Sequence, residues 1–70
     1  MSDQVYKKVE IVGTSAEGIS EAVKNAIDKA GESLRHMSWF EVKEIRGHID
    51  ADKNNQALFQ VTLQIGFRLE

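Results

Sequence analysis

From Ala57 to Leu69 the chain alternates without a break. Ala57, Phe59, Val61, Leu63, Ile65, Phe67 and Leu69 are apolar, and Leu58, Gln60, Thr62, Gln64, Gly66 and Arg68 stand between them, with Glu70 after. A period of two is the signature of a β-strand with one face buried and the other wet. Thirteen residues (57–69) at ~3.3 Å each span about 43 Å. Few arrangements of a 70-residue chain accommodate so long a strand. It must lie at the centre of a sheet or be shared with a neighbouring subunit.

The other elements are arranged around it. Val5–Gly13 reads as a first strand, with Val5, Lys7, Val9 and Ile11 on one parity and Tyr6 and Val12 on the other. Gly13-Thr14-Ser15 ends it, and Thr14 with Glu17 three residues later matches a capping box, which predicts a helix start. Ile19, Ala22, Val23, Ala26, Ile27, Ala30, Leu34 and Met37 recur at three and four residues, forming one apolar helical stripe. Gly31 falls inside that pattern at a cost of about 1 kcal/mol, so a close packing partner is expected there. Arg35 and His36 are placed at the helix C-terminus, where positive charge suits the dipole. Trp39–Asp50 reads as a second strand with a defect. Phe40 and Val42 share one parity, whereas Ile45 and Ile49 have the other, and only an extra residue near Lys43-Glu44 can invert the pattern. Asp50 to Asn55 carries turn chemistry. The order is β-α-β-β, an α+β class, with the first two strands parallel and the third antiparallel between them. The helix covers the apolar face.

Size and charge limit what such a chain can do. A 70-residue chain buries only about 60% of the surface exposed when unfolded, and small domains commonly gain support from disulfides, metals or self-association. There is no cysteine, so self-association is the expected route. The formal charge is −2, with lysines and arginines scattered among acids. That argues against a nucleic-acid partner, which would meet a basic face. No apolar run follows Met1-Ser2-Asp3-Gln4, and none approaches the ~20 residues of a membrane span. A cytoplasmic protein with one domain over 1–70 and no membrane partner is expected.

Few residues carry chemistry. His36 and His48 fall on different elements without cysteine or paired carboxylates, and read as surface or capping histidines. Gly13-Thr14-Ser15-Ala16-Glu17-Gly18 lacks the Lys-Ser/Thr of a phosphate loop. No nucleophile–base set is apparent, which argues against an enzyme. Trp39 is different. If Phe40 and Val42 face the helix, Trp39 faces away, toward solvent or another subunit. It is then either a stacking platform or an interface residue, against the simpler alternative of core. Gln60, on the polar parity of the last strand, offers a donor and an acceptor to a pyrimidine-like edge, or is only a polar surface residue. Arg46 suits a ligand phosphate or carbonyl, or pairs with Glu44.

Tyr6-Lys7-Lys8-Val9-Glu10-Ile11-Val12-Gly13-Thr14-Ser15, Trp39-Phe40-Glu41-Val42 through Ile45-Arg46-Gly47, Phe59-Gln60-Val61 and Gly66-Phe67-Arg68-Leu69-Glu70 closely resemble the dodecins over nearly the whole chain. The resemblance implies a β-α-β-β protomer whose three-stranded antiparallel sheet partly wraps one helix. It implies a hollow homododecamer that binds flavins in pairs between symmetry-related tryptophans. Trp39 matches that tryptophan, Gln60 the glutamine at the flavin's pyrimidine edge, and Arg46 the arginine that bacterial-type members place near the ligand. Storage and sequestration of flavin, with quenching of its photoreactivity, is the function implied. The alternative is a shell-forming assembly protein with a weak or vestigial flavin site. Riboflavin, FMN and FAD all remain open as the preferred flavin, and coenzyme A as a second ligand. No catalytic or metal-ligating residue is carried over.

Overall fold

The computed structural model describes residues 3–69; Met1, Ser2 and Glu70, the last residue of the alternating run, lie outside the described part. The elements follow as β1 (Val5–Ser15), α1 (Ile19–Ala30), β2 (Met37–Asp50), a short 3-10 turn (Ala51–Lys53) and β3 (Gln56–Leu69). The sheet order is β1-β3-β2, and β3 pairs antiparallel with both neighbours. The alternating segment is therefore the central strand, and β1 and β2 run parallel to each other on either side. The molecule measures 57 × 20 × 14 Å, an elongation imposed by the length of that strand.

The register sorts the side chains into two faces. Val9, Ile11 and Gly13 lie opposite Ile65, Leu63 and Val61, and these positions face α1. Val61 and Leu63 are buried against Ala22 and Ala26 of the helix, and Ile11, Val23 and Ile27 close the cluster; Ile65 and Ala30 are buried as well. The three alanines form the helix seam because the backbone approaches closely there. A Cβ on Gly13 would lie 2.7 Å from the Ala26 Cβ and would collide with the Ala22 carbonyl oxygen. The Asn25 amide also donates to the Thr14 carbonyl at 3.0 Å, tying the helix to the end of β1.

Two local expectations fail. The capping box does not form: α1 begins after an extended Gly18 with no side-chain cap, and the Glu17 amide instead donates to Ser15 Oγ at 2.9 Å. Thr14 is retained by β1 because β3 is long enough to pair with it, at Gln60; sheet pairing outweighs the local cap. The helix also stops at Ala30, short of Leu34 and Met37. Gly31 is its C-terminal cap rather than an interior position, and the close neighbour expected there is the Met37 methyl, 3.3 Å from where a Cβ would stand. Arg35 and His36 accordingly lie in the connection, with His36 at φ 59°, and Lys29 is the base in the last helical turn.

The defect expected in β2 is present. The register shifts between Val42 and Glu44, leaving Lys43 as the extra residue. A second shift between Met37 and Trp39 leaves Ser38 extra. Between and beyond these bulges, Phe40, Val42, Ile45 and Ile49 share the face on which α1 lies. The helix packs over β1 and β3, however, so these four side chains are 48%, 44%, 53% and 69% exposed. An open groove lined by Ile27, Met37, Ser38, Trp39, Phe40 and Ile65 separates the helix from β2.

Candidate functional site

The face of the sheet turned away from α1 carries every residue singled out for ligand contact. Trp39 pairs in register with Gly66, and Arg46 pairs with Gln60. Parity therefore places the indole where the sequence put it, off the helix-facing side. It is not core: Trp39 is 38% exposed.

The indole lies on the β3 backbone. A Cβ on Gly66 would come within 2.5 Å of Trp39 Cη2, and closer to Cε2 and Cζ2. Only glycine permits this contact, since any side chain would occupy the volume of the ring. Tyr6 meets the indole edge-on, with ring centroids 5.3 Å apart and planes at 62°, a favoured aromatic geometry. Trp39 Nε1 donates to Glu41 Oε2 at 3.0 Å. The same oxygen is 3.3 Å from Lys8 Nζ. The indole is thus seated on β3, packed against Tyr6 and satisfied at its N–H. The rest of the residue, 38% of its surface, stays exposed.

The Trp39 N–H bond, and after it the Lys8 ammonium, hold the Glu41 carboxyl below its ordinary value, and Lys43 adds a weaker pull. Glu41 is therefore an anion at neutral pH.

Arg46 and Gln60 form a second locus. They are directly opposed across β2 and β3, and Thr14 stands on the far side of Gln60 in the same row. The ion pairs among the described residues join Lys8 to Glu41, Lys24 to Asp28 and Lys29 to Glu32. The expected alternative of an Arg46–Glu44 pair does not form. Gln60 and Gly66 are six steps apart along β3, a distance of about 20 Å at ~3.3 Å per residue. Within one chain the structure brings Arg46 to Gln60 but keeps both far from Trp39. The histidines are more distant from each other still, His36 before the start of β2 and His48 near its far end. Among the described residues no cluster of histidines and carboxylates has the geometry to hold a metal ion, and no helix is long and apolar enough to cross a membrane.

Reading the sequence by its motifs missed Gly66, Glu41, Lys8 and Tyr6. Signals for two of them existed. Glu41 is two residues from Trp39 and so on the same face, and Gly66 is the one glycine in an otherwise unbroken alternation.

Comparison with known proteins gives this arrangement a lineage. The dodecin family model matches residues 5–70. The dodecin of Thermus thermophilus is 54% identical over 67 residues, covering 96% of this chain and 94% of that protein. A crystal structure from T. thermophilus superposes with a TM-score of 0.89 at 53% identity, covering 97% of each chain. The dodecin of Streptomyces davaonensis superposes at 0.90 with 42% identity, covering 99% of this chain and 98% of that one. Sequence and architecture agree over the full length of the sheet and helix, and the chain belongs to the dodecin family, small flavin-binding proteins that self-assemble.

Proposed function

We propose that this protein is a cytoplasmic flavin storage and sequestration protein, assembled as a homododecamer. Its flavins stack in pairs between symmetry-related Trp39 side chains, with Gln60 at the pyrimidine edge and Arg46 beside the ligand. The observation that carries this reading is the indole seated on Gly66 and still 38% exposed. An exposed platform takes one flat ring per protomer, and two such platforms facing each other take two.

The separation of about 20 Å between Trp39 and the Arg46–Gln60 pair supports a shared site. A flat ring stacked on Trp39 is too short to reach Gln60 of the same chain, so the glutamine that meets it comes from a neighbour. The exposed strip of Phe40, Val42, Ile45 and Ile49 supplies apolar surface for such association.

Bound flavin brings a light-absorbing, redox-active ring. Trp39 contributes an electron-rich indole at stacking distance, from which an electron passes to the excited ring and returns, so that excitation ends as heat. The role is protective and non-catalytic. It accords with a family of flavin-binding storage proteins.

Titrating the apo-protein with riboflavin, FMN and FAD while following flavin emission tests the reading and ranks the three. Strong quenching, lost in Trp39→Ala, is expected. Emission that stays constant on addition of protein would leave the shell-forming alternative, in which the site is vestigial. A parallel titration with coenzyme A decides whether that second ligand binds.

A further inference from the structure

The indole of Trp39 has more holding it than a stacking platform needs for burial alone. Gly66 beneath and Tyr6 beside it limit its tilt, but neither fixes its rotation within its own plane. That rotation is set by the bond from Nε1 to Glu41 Oε2 at 3.0 Å. Glu41 is itself not free to swing, because Lys8 reaches the same oxygen at 3.3 Å. The reach is possible because Lys8 is opposite Gly66 in the register and Glu41 is two pairs further along, on the same face. No side chain on Gly66 stands in the path. Gln64, the direct partner of Glu41 in the register, is engaged elsewhere, donating to Glu10 at 3.4 Å.

From this we propose that Glu41, braced by Lys8, is a positioning residue that fixes the orientation of the Trp39 indole and thereby the affinity for a flat aromatic ligand. The ligand half of the proposal rests on the flavin reading; the orientation half does not. Charge-assisted hydrogen bonds are short and directional, and a partly exposed aromatic ring without one samples several rotamers on the picosecond to nanosecond scale. Immobilising the ring before the ligand arrives removes an ordering cost from binding.

Trp39 is the one tryptophan in the chain, so its emission reports this ring alone. Time-resolved anisotropy of the assembled apo-protein is expected to show an indole that moves only with the whole particle. In Glu41→Ala a fast local component should appear, and FMN should bind about tenfold more weakly, the equivalent of one lost hydrogen-bond constraint. Glu41→Gln keeps an acceptor oxygen at the same reach, so it should restore the slow anisotropy and most of the affinity. Lys8→Met should fall between the native protein and Glu41→Ala.

An unchanged anisotropy decay in Glu41→Ala overturns the proposal. So does a mobile indole accompanied by native FMN affinity. Should Glu41→Ala fail to fold, the Lys8→Met and Glu41→Gln pair gives the same comparison. If the native protein ignores FMN, the flavin reading falls, while the anisotropy of the apo-variants still decides whether Glu41 holds the ring.

Discussion

Replacing Gly66 by alanine adds one methyl group at the point where the indole touches the sheet. That carbon would stand 2.5 Å from Trp39 Cη2, whereas ordinary contact begins at 3.4 Å. The ring must therefore lift by about 1 Å. It has room to do so, since Trp39 is 38% exposed, but the Nε1–Glu41 bond of 3.0 Å stretches or breaks. Forcing the indole off its rotamer costs about 0.5–1.5 kcal/mol. Against this, Gly66 has no positive φ, so alanine fits the strand and restricts the unfolded chain, a gain of about 0.4–1 kcal/mol. The two nearly cancel. Thermal unfolding followed by far-ultraviolet circular dichroism should move by only a few degrees, at roughly 4–8 °C per kcal/mol for a chain of this size. Tryptophan emission should change, and FMN should bind about two- to tenfold more weakly, because a misplaced ring forfeits the ~0.5–1.5 kcal/mol of a good aromatic stack. A folded Gly66→Ala protein with native emission and native FMN affinity would refute the platform. A loss of several kcal/mol in stability would refute it differently, showing that the ring cannot lift and is core.

Gly13→Ala should behave in the opposite way, costing about 1–3 kcal/mol in chemical denaturation, because its methyl would meet Ala26 Cβ and the Ala22 carbonyl with no open side to relax into. Leu63→Ala, in the fully buried centre of β3, should cost about 2–5 kcal/mol by the same measurement. The depressed carboxyl of Glu41 sets an acid limb. Its contribution is complete above the ordinary glutamate range near ~4.3 and disappears as pH falls through the lower folded value. Tryptophan emission should therefore titrate on the acid side of that range in the native protein and stay flat in Glu41→Gln. Light scattering should find an oligomer; a folded monomer at working concentration would contradict the role given to the bare strip of β2.

The features that depend on periodicity were readable from the residues alone. Unbroken alternation marked β3 as a strand either central or shared with a neighbour, and the inversion between Val42 and Ile45 located the Lys43 bulge. The Ser38 bulge left no such mark, since Met37 had been absorbed into the helical stripe and nothing upstream offered a strand parity to compare. Thr14 and Glu17 carried a helix-start signature that the fold ignores, because pairing with a 14-residue β3 extends β1 to Ser15. Gly31 was read as a flaw in a helix when it was the end of one. The indole's bond to Glu41 was missed because spacing shows which side chains share a face, not which of them meet. The distance from Trp39 to Gln60 follows only from the register, which no single strand encodes.

That distance has a genetic consequence. A chain lacking Trp39 keeps its Gln60, and a chain lacking Gln60 keeps its Trp39. On the proposed shared site each alone should fail to bind flavin, since every site in its assembly would miss the same half. Refolded together, the two chains meet as unlike neighbours, where one defect is answered by the other chain's intact residue. Each such encounter restores one complete site and leaves its sister doubly deficient. Two broken alleles should therefore complement, and flavin binding in the mixture should rise with the fraction of mixed contacts.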